Sequence, residues 1–487
     1  MMSKNDYRRR VSRRRRSRFS RHLPTFIVLF VLTVLIGGCI FAVSRFLFHK
    51  KSGPPKDTEV IASATAGTAP NTEVTQPTEP ALDEVDRLIA QADRLAAGYD
   101  YDGAVALVES DPAASSDPRG QEAISGYLAT KDTMVEADHT QITHVFFHTL
   151  IMDTAKAFDG DADSKGYNSV MTTADEFKRI LNAMYERGYV LVRLHDVAYE
   201  EPDENGNLRF VYGKIMLPEG KKPFVMSQDD VCYYDYMLDD GFATRMVIGE
   251  DGKPTCEMTL DDGTVSTGSY DLVPLLEDFI QEHPDFSYRG ARAVIALTGY
   301  QGILGYRTAS NYSDSPTYEA DREQAAKVAQ ALRDNGWELA SHSFGHLKLG
   351  VSTNPEKSFN GFAIEDERFR HDTDRWEAEV ESLIGPTDII LYPFGNDIAD
   401  FHAYTEDNPR FKYLESKGFR YFCNVDASTP YWMQKGTNYF RMARRNLDGY
   451  RLYQDTVQED PAKKRLSDLF DARDIFDSVR PTPVTWY

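Results

Sequence analysis

Cysteine is scarce in this chain of 487 residues: Cys39, Cys232, Cys256 and Cys423 are the four, and no two stand in CxxC spacing. That leaves no readable disulfide framework and no thiolate zinc site. Positive charge is scarce outside the N-terminus. Residues 1–51 carry 13 Lys/Arg against one acid, a balance of +12, so the total of −21 leaves −33 on the remainder. An acidic body of that kind argues against nucleic-acid binding. Histidine is absent after His402. Apolar and aromatic residues are plentiful: the chain is 41% hydrophobic, with 27 Tyr and 27 Phe, enough for a large core. The length exceeds one ordinary domain.

The N-terminus reads as a membrane anchor. From Pro24 to Val43 no charge occurs over 20 residues, about 30 Å as a helix and enough to span a bilayer. Nine arginines between Arg8 and Arg21 precede it, which places residues 1–22 in the cytoplasm and the rest outside. The run is long for the apolar region of a signal peptide. A transmembrane helix over 23–48 is therefore expected, with the body of the protein extracellular at the cell membrane. Residues 49–81, rich in Pro, Thr and Ala, read as an extended linker. In 82–136 the helical spacing of Leu82, Val85, Ile89, Ala92 and Leu95, with a second short helix near Ala104–Val108, predicts a helical hairpin.

From about Gln141 strand-like runs alternate with amphipathic helices, and Gly188, Gly336 and Gly418 stand where helices end before apolar strands. Repeated βα units over 137–480 mean a parallel sheet, closed as a barrel or left open. In either form functional residues gather at the C-terminal ends of the strands.

Three stretches fall there together. The strand "KPFVM" leads into Asp229 and Asp230, "WELA" into His342 and His346 of "SHSFGH", and "IIL" into "YPFGND". Two adjacent carboxylates ending a buried strand need a positive partner. An HxxxH pair alone is weak evidence, and the chain has a second in His144 and His148. Those lie on a strand, where four residues span about 13 Å, too far for one ion with bonds of about 2.1 Å. His342 and His346 follow a strand end, where a single helical turn would put both imidazoles on one face. One carboxylate and two imidazoles make an open three-ligand site for a divalent metal, and the second carboxylate can accept a proton from an activated water.

These residues resemble the polysaccharide deacetylases of carbohydrate esterase family 4, the NodB homology domain. Ser227–Asp230 is similar to that family's TFDDG motif, His342, Ser343 and His346 match H(S/T)xxH in full, and Leu391–Gly395 resembles its RxPYG-like motif. The resemblance covers roughly residues 140–450. It implies a distorted (β/α) barrel and a hydrolase of carbon–nitrogen bonds other than peptide bonds, removing acetyl groups from envelope polysaccharide or peptidoglycan. It also implies a divalent ion, zinc being expected, held by Asp230, His342 and His346, with Asp229 as general base. The Phe394 N–H would stabilise an oxyanion, while Tyr392, Pro393, Phe394 and Gly395 shape the sugar groove. Two other Asp-Asp-Gly strings, at 239–241 and 261–263, compete for the first motif but follow no comparable buried strand.

The chain departs from the pattern in two places. Leu391 stands where the third motif has Arg, and the late LxH motif, whose His is the general acid, is not visible. His195 in "VRLHD" has that spelling but comes too early and reads as structural. Arg441, Arg444 and Arg445 occupy the late region, and one of them could orient Asp229. Arg445 and Asp426 are candidates for supporting the site from behind. Tyr300 and Tyr306 offer rings that could stack on sugars or pack a loop. The alternatives are a deacetylase-like domain that binds envelope glycan without turnover, and a glycoside hydrolase. The latter needs two carboxyls about 5 Å or more apart on separate strands, which adjacent aspartates fit poorly.

Overall fold

The computed structural model describes residues 83–486. The expected basic tail, transmembrane helix and linker lie outside the described residues. Among those described, no helix is long and apolar enough to cross a membrane.

The main sheet has nine strands, eight of them parallel: β1 (Thr143–Phe147), β2 (Tyr189–Leu191), β3 (Lys222–Gln228), β4 (Val294–Leu297), β5 (Glu338–Ser341), β6 (Ile389–Leu391), β7 (Tyr421–Val425) and β8 (Phe440–Asn446), with Met433–Lys435 antiparallel to β8. Seven of them close into a barrel in the order β1, β3, β4, β5, β6, β7, β8 and back to β1. β3 makes the closure possible because it is shared along its length. Its first half pairs with β2 (Tyr189 opposite Lys222) and its end with β4 (Val294 opposite Ser227), which leaves β2 outside the ring.

β1, β4 and β6 are buried at every position, as parallel strands covered on both faces demand. Alternation assigns the two faces. Val145, Phe147, Phe224, Met226, Ile295, Leu339 and Ile390 face outward into the layer beneath the helices. Val225, Ala296, Ala340, Leu391, Cys423 and Met442 face the lumen, where the small alanines let the ring close.

Segment 82–136 is more than the expected hairpin. It holds α1 (Glu84–Ala97), α2 (Tyr101–Ser110), a single turn at Pro112–Ser116, and α3 (Pro118–Lys131). Ala92, Ala104, Val108 and Tyr127 share one apolar cluster with the lumen residues. Tyr99 donates to the Asp285 carbonyl (2.8 Å), and the Arg289 N–H donates to the Gly98 carbonyl (2.7 Å). The segment thus closes the N-terminal end of the barrel.

The outer helices include α4 (Ala174–Glu186), α5 (Leu272–Glu282), α6 (Tyr318–Asp334), α7 (Asp366–Trp376), α8 (Pro409–Ser416) and α9 (Gly449–Val457). α4 shows how they form. Thr173 and Glu176 make a reciprocal capping box, and Phe177, Ile180, Leu181 and Met184 bury one stripe. The glycines after α4, α6 and α8 take φ of 79°, 88° and 98°, the left-handed ending read from sequence. Between β3 and β4 the chain inserts a three-stranded antiparallel sheet, Arg245–Ile248, Pro254–Thr259 and Val265–Gly268.

Candidate metal centre

Val225 and Ser227 point into the lumen on β3, so Asp229 arrives at the barrel mouth on the same face. Asp230 should face outward by alternation. Its φ of 60° breaks the alternation and brings the second carboxylate back to the mouth. On β5, Ala340 faces inward, and His342 continues that file. His346 reaches the same place by an irregular bend, not by the helical turn expected from the spacing. Ser343 and His346 have φ of 56° and 51°, and the amides of Phe344 and Gly345 donate to Asp372 on α7 at 2.9 and 2.7 Å. The two imidazole centroids lie 5.1 Å apart.

The donor set fits a single cation. His346 Nε2 stands 3.6 Å from Asp230 Oδ2, close to the roughly 3.4 Å that two ligands bonded at about 2.1 Å subtend at a tetrahedral ion. The ligand atoms of Asp230, His342 and His346 all lie within 4.8 Å of one another. His342 Nδ1 is 2.7 Å from the Leu391 carbonyl and must donate to it, which leaves the Nε2 lone pair facing the carboxylates. Burial pulls His342 down to about 4, so the ring is neutral and able to ligate. Tyr234 donates to Asp230 Oδ1 (2.7 Å) and orients that carboxylate.

Asp229 is handled differently. It is fully buried, and burial alone would raise its carboxyl. The Arg444 guanidinium and the His342 ring outweigh burial and hold it well below the usual carboxylate range. Arg444 Nη1 donates to Asp229 Oδ1 at 2.6 Å, and His342 Nε2 lies 3.7 Å from Oδ2. β8 explains why this arginine points inward: Phe440 and Met442 face the lumen, and Arg444 is next in that file. Arg441 and Arg445 face the other way. Arg441 pairs with Asp397 at 2.9 Å, and Arg445 with Asp468 at 2.7 Å. Arg445 therefore does not support the site as the sequence suggested, and Asp426 turns its carboxylate to Ser428 (2.7 Å to the amide).

After β6, Pro393 is buried and Tyr392 is spent inside the protein, its hydroxyl 2.8 Å from that of Tyr404 and its ring stacked on Phe422. Neither lines an open groove, contrary to expectation. Phe394 does: it is 61% exposed, with its ring 4.5 Å from that of His346. Gly395 has φ of 65°, and a Cβ there would meet the Val425 Cβ at 2.5 Å, so the turn can bring Phe394 to the mouth only with glycine next to it.

The remaining sequence candidates fall elsewhere. His144 is buried in the lumen, 3.0 Å from the Ser227 hydroxyl, and burial holds it neutral. His195 lies at the N-terminal end of the barrel. Asp240 is buried and accepts from Tyr167 (3.0 Å), while Asp261 and Asp262 sit in a hairpin turn. Tyr300 stacks on Tyr234 at 5.2 Å, and Tyr306 is buried, so both pack the protein.

Two residues at the mouth were not singled out by sequence. Arg444 was one of three possible arginines, and the parity of "FRMARRN" would have chosen it had that run been read as a strand. His148 follows β1 and occupies the rim beside Asp229. No family model matches this chain, and no curated protein matches it in sequence.

Proposed function

We propose that this chain is a metal-dependent carbohydrate deacetylase acting on acetylated envelope glycan, tethered to the cell membrane by its N-terminal apolar segment. The observation that supports it most is the division of labour between neighbouring aspartates. Asp230 faces two imidazoles, while Asp229 is held ionised by Arg444 without being drawn into the same set. A divalent ion such as zinc, held by Asp230, His342 and His346, would supply Lewis-acid polarisation of a water and of the acetyl carbonyl. Asp229 takes the proton released as water attacks, being ionised and acceptor-only. The Phe394 N–H would receive the developing oxyanion, and its exposed ring offers an apolar face to a sugar.

Acetate release from tetra-N-acetylchitotetraose by the full chain tests this. Release that requires zinc and falls about 10²–10⁴-fold in Asp229→Asn is expected. Glycan binding with no acetate released would instead favour a binding protein on the same fold.

A further inference from the structure

Cleaving an acetamide leaves an amine nitrogen that departs poorly unless it is protonated. The residues that hold an ion and accept a proton do not supply one, and no histidine follows His402. We propose that His148, at the end of the first barrel strand, is the general acid of this site, an inference that rests on the functional reading above.

Three observations place it there. First, His144 and Phe146 face the lumen on β1, and His148 continues their file to the mouth. Its ring stands edge-on to Phe146, with centroids 5.8 Å apart, and the Arg444 guanidinium covers the Phe146 ring at 4.4 Å. His148 is thus seated on the clamp that holds Asp229. Second, β1 and β3 are paired to their ends. Phe147 is opposite Gln228, and the Asp229 N–H donates to the Phe147 carbonyl at 2.8 Å, so His148 and Asp229 are rim neighbours on adjacent strands. Third, the imidazole lies within electrostatic reach of Asp229, Asp230 and Asp448. Asp448 caps α9, its carboxylate accepting from Asn446 (2.6 Å) and the Arg451 amide (2.7 Å). His148 is half-buried, so solvent can return its proton after each turnover.

The step balances. The water oxygen bonds to the acetyl carbon and its proton passes to Asp229. The carbon–nitrogen bond then breaks, its electron pair staying on nitrogen, and His148 gives that nitrogen a proton. Acetate and a free amine leave, and a proton passes from Asp229 through solvent back to His148.

The test compares wild type, His148→Gln and His148→Ala as full chains, on tetra-N-acetylchitotetraose and on 4-nitrophenyl acetate, whose phenolate leaves without a proton. Zinc content and thermal unfolding are measured alongside. Expected is a loss of about 10²–10⁴-fold on the amide in both variants with little change on the aryl ester. Zinc uptake should be retained, and the wild-type decline of amide hydrolysis at high pH should disappear. Amide turnover equal to wild type overturns the assignment, and so do equal losses on both substrates with zinc still bound. A variant that fails to fold leaves the wild-type profile to decide: amide hydrolysis that does not decline at high pH overturns the assignment. A wild-type chain that releases no acetate from either substrate overturns the functional reading, and this inference with it.

Discussion

The two ends of the barrel carry the same residue types in opposite arrangements. At the N-terminal end, His195 lies between Glu338 and Asp388, the positions that begin and precede β5 and β6. Its Nδ1 bonds Glu338, and its Nε2 lies 3.1 Å from Asp388. Both ring nitrogens are used. Burial alone would lower its pKa, but the hydrogen bonds it donates to both carboxylates prevail and push it up to about 10. At the C-terminal end, His342 spends one nitrogen on a carbonyl and turns the other toward Asp229, 3.7 Å away, while His346 Nε2 lies 3.6 Å from Asp230. Positive φ occurs at both ends, at Tyr99 and Arg289 near the closed one and at Asp230, Ser343, His346 and Phe394 at the mouth. Strain of that kind persists where surrounding structure imposes it, and it collects at functional sites. One end satisfies its charges internally; the other presents them.

The contrast is broken most severely by removing a ligand at the mouth. His342→Ala and His346→Ala should abolish zinc uptake and reduce acetate release at least about 10³-fold, while His195→Ala leaves zinc content unchanged by metal analysis. Next comes Arg444→Met. It strands a buried carboxylate and should cost about 3–5 kcal/mol in denaturant unfolding. Adding Asp229→Asn should recover most of that loss, because the two act as one pair.

His195→Gln gives a smaller effect with a defined sign. The folded pKa of about 10 lies above the ordinary 6.5, so the ring's contribution is fully present below about pH 6.5 and is lost as pH rises through about 10. With a partly exposed ring, screening reduces it to about 1–2 kcal/mol. Unfolding curves of wild type and variant should therefore differ at pH 6 and converge near pH 10.5. The smallest change is Phe394→Ala, which should alter stability by no more than about 0.5 kcal/mol and raise KM for the oligosaccharide without lowering kcat as much.

The strands leading to the mouth were legible because buried parallel strands announce themselves as short apolar runs. "KPFVM", "WELA" and "IIL" all became barrel strands. β8 was not legible. Three arginines in seven residues hid the strand, although every one of those residues is buried. Ion pairs with Asp229, Asp397 and Asp468, distant in sequence, make that burial possible. The bend that carries His346 was misread as a helical turn because the i, i+4 spacing is common to both. The deciding partner, Asp372, lies on a helix 27 residues beyond Gly345. Tyr392 was misplaced for a similar reason, since its partner Tyr404 belongs to the next loop.

The most direct test of the centre is X-ray absorption at the zinc edge on the zinc-loaded full chain, beside His342→Ala. The expected first shell has two imidazole nitrogens and one carboxylate oxygen at about 2.0–2.2 Å, with one further light atom, and the nitrogen contribution should be halved or lost in the variant. A shell containing sulfur, or one that His342→Ala leaves unchanged, would contradict a metal held by Asp230, His342 and His346.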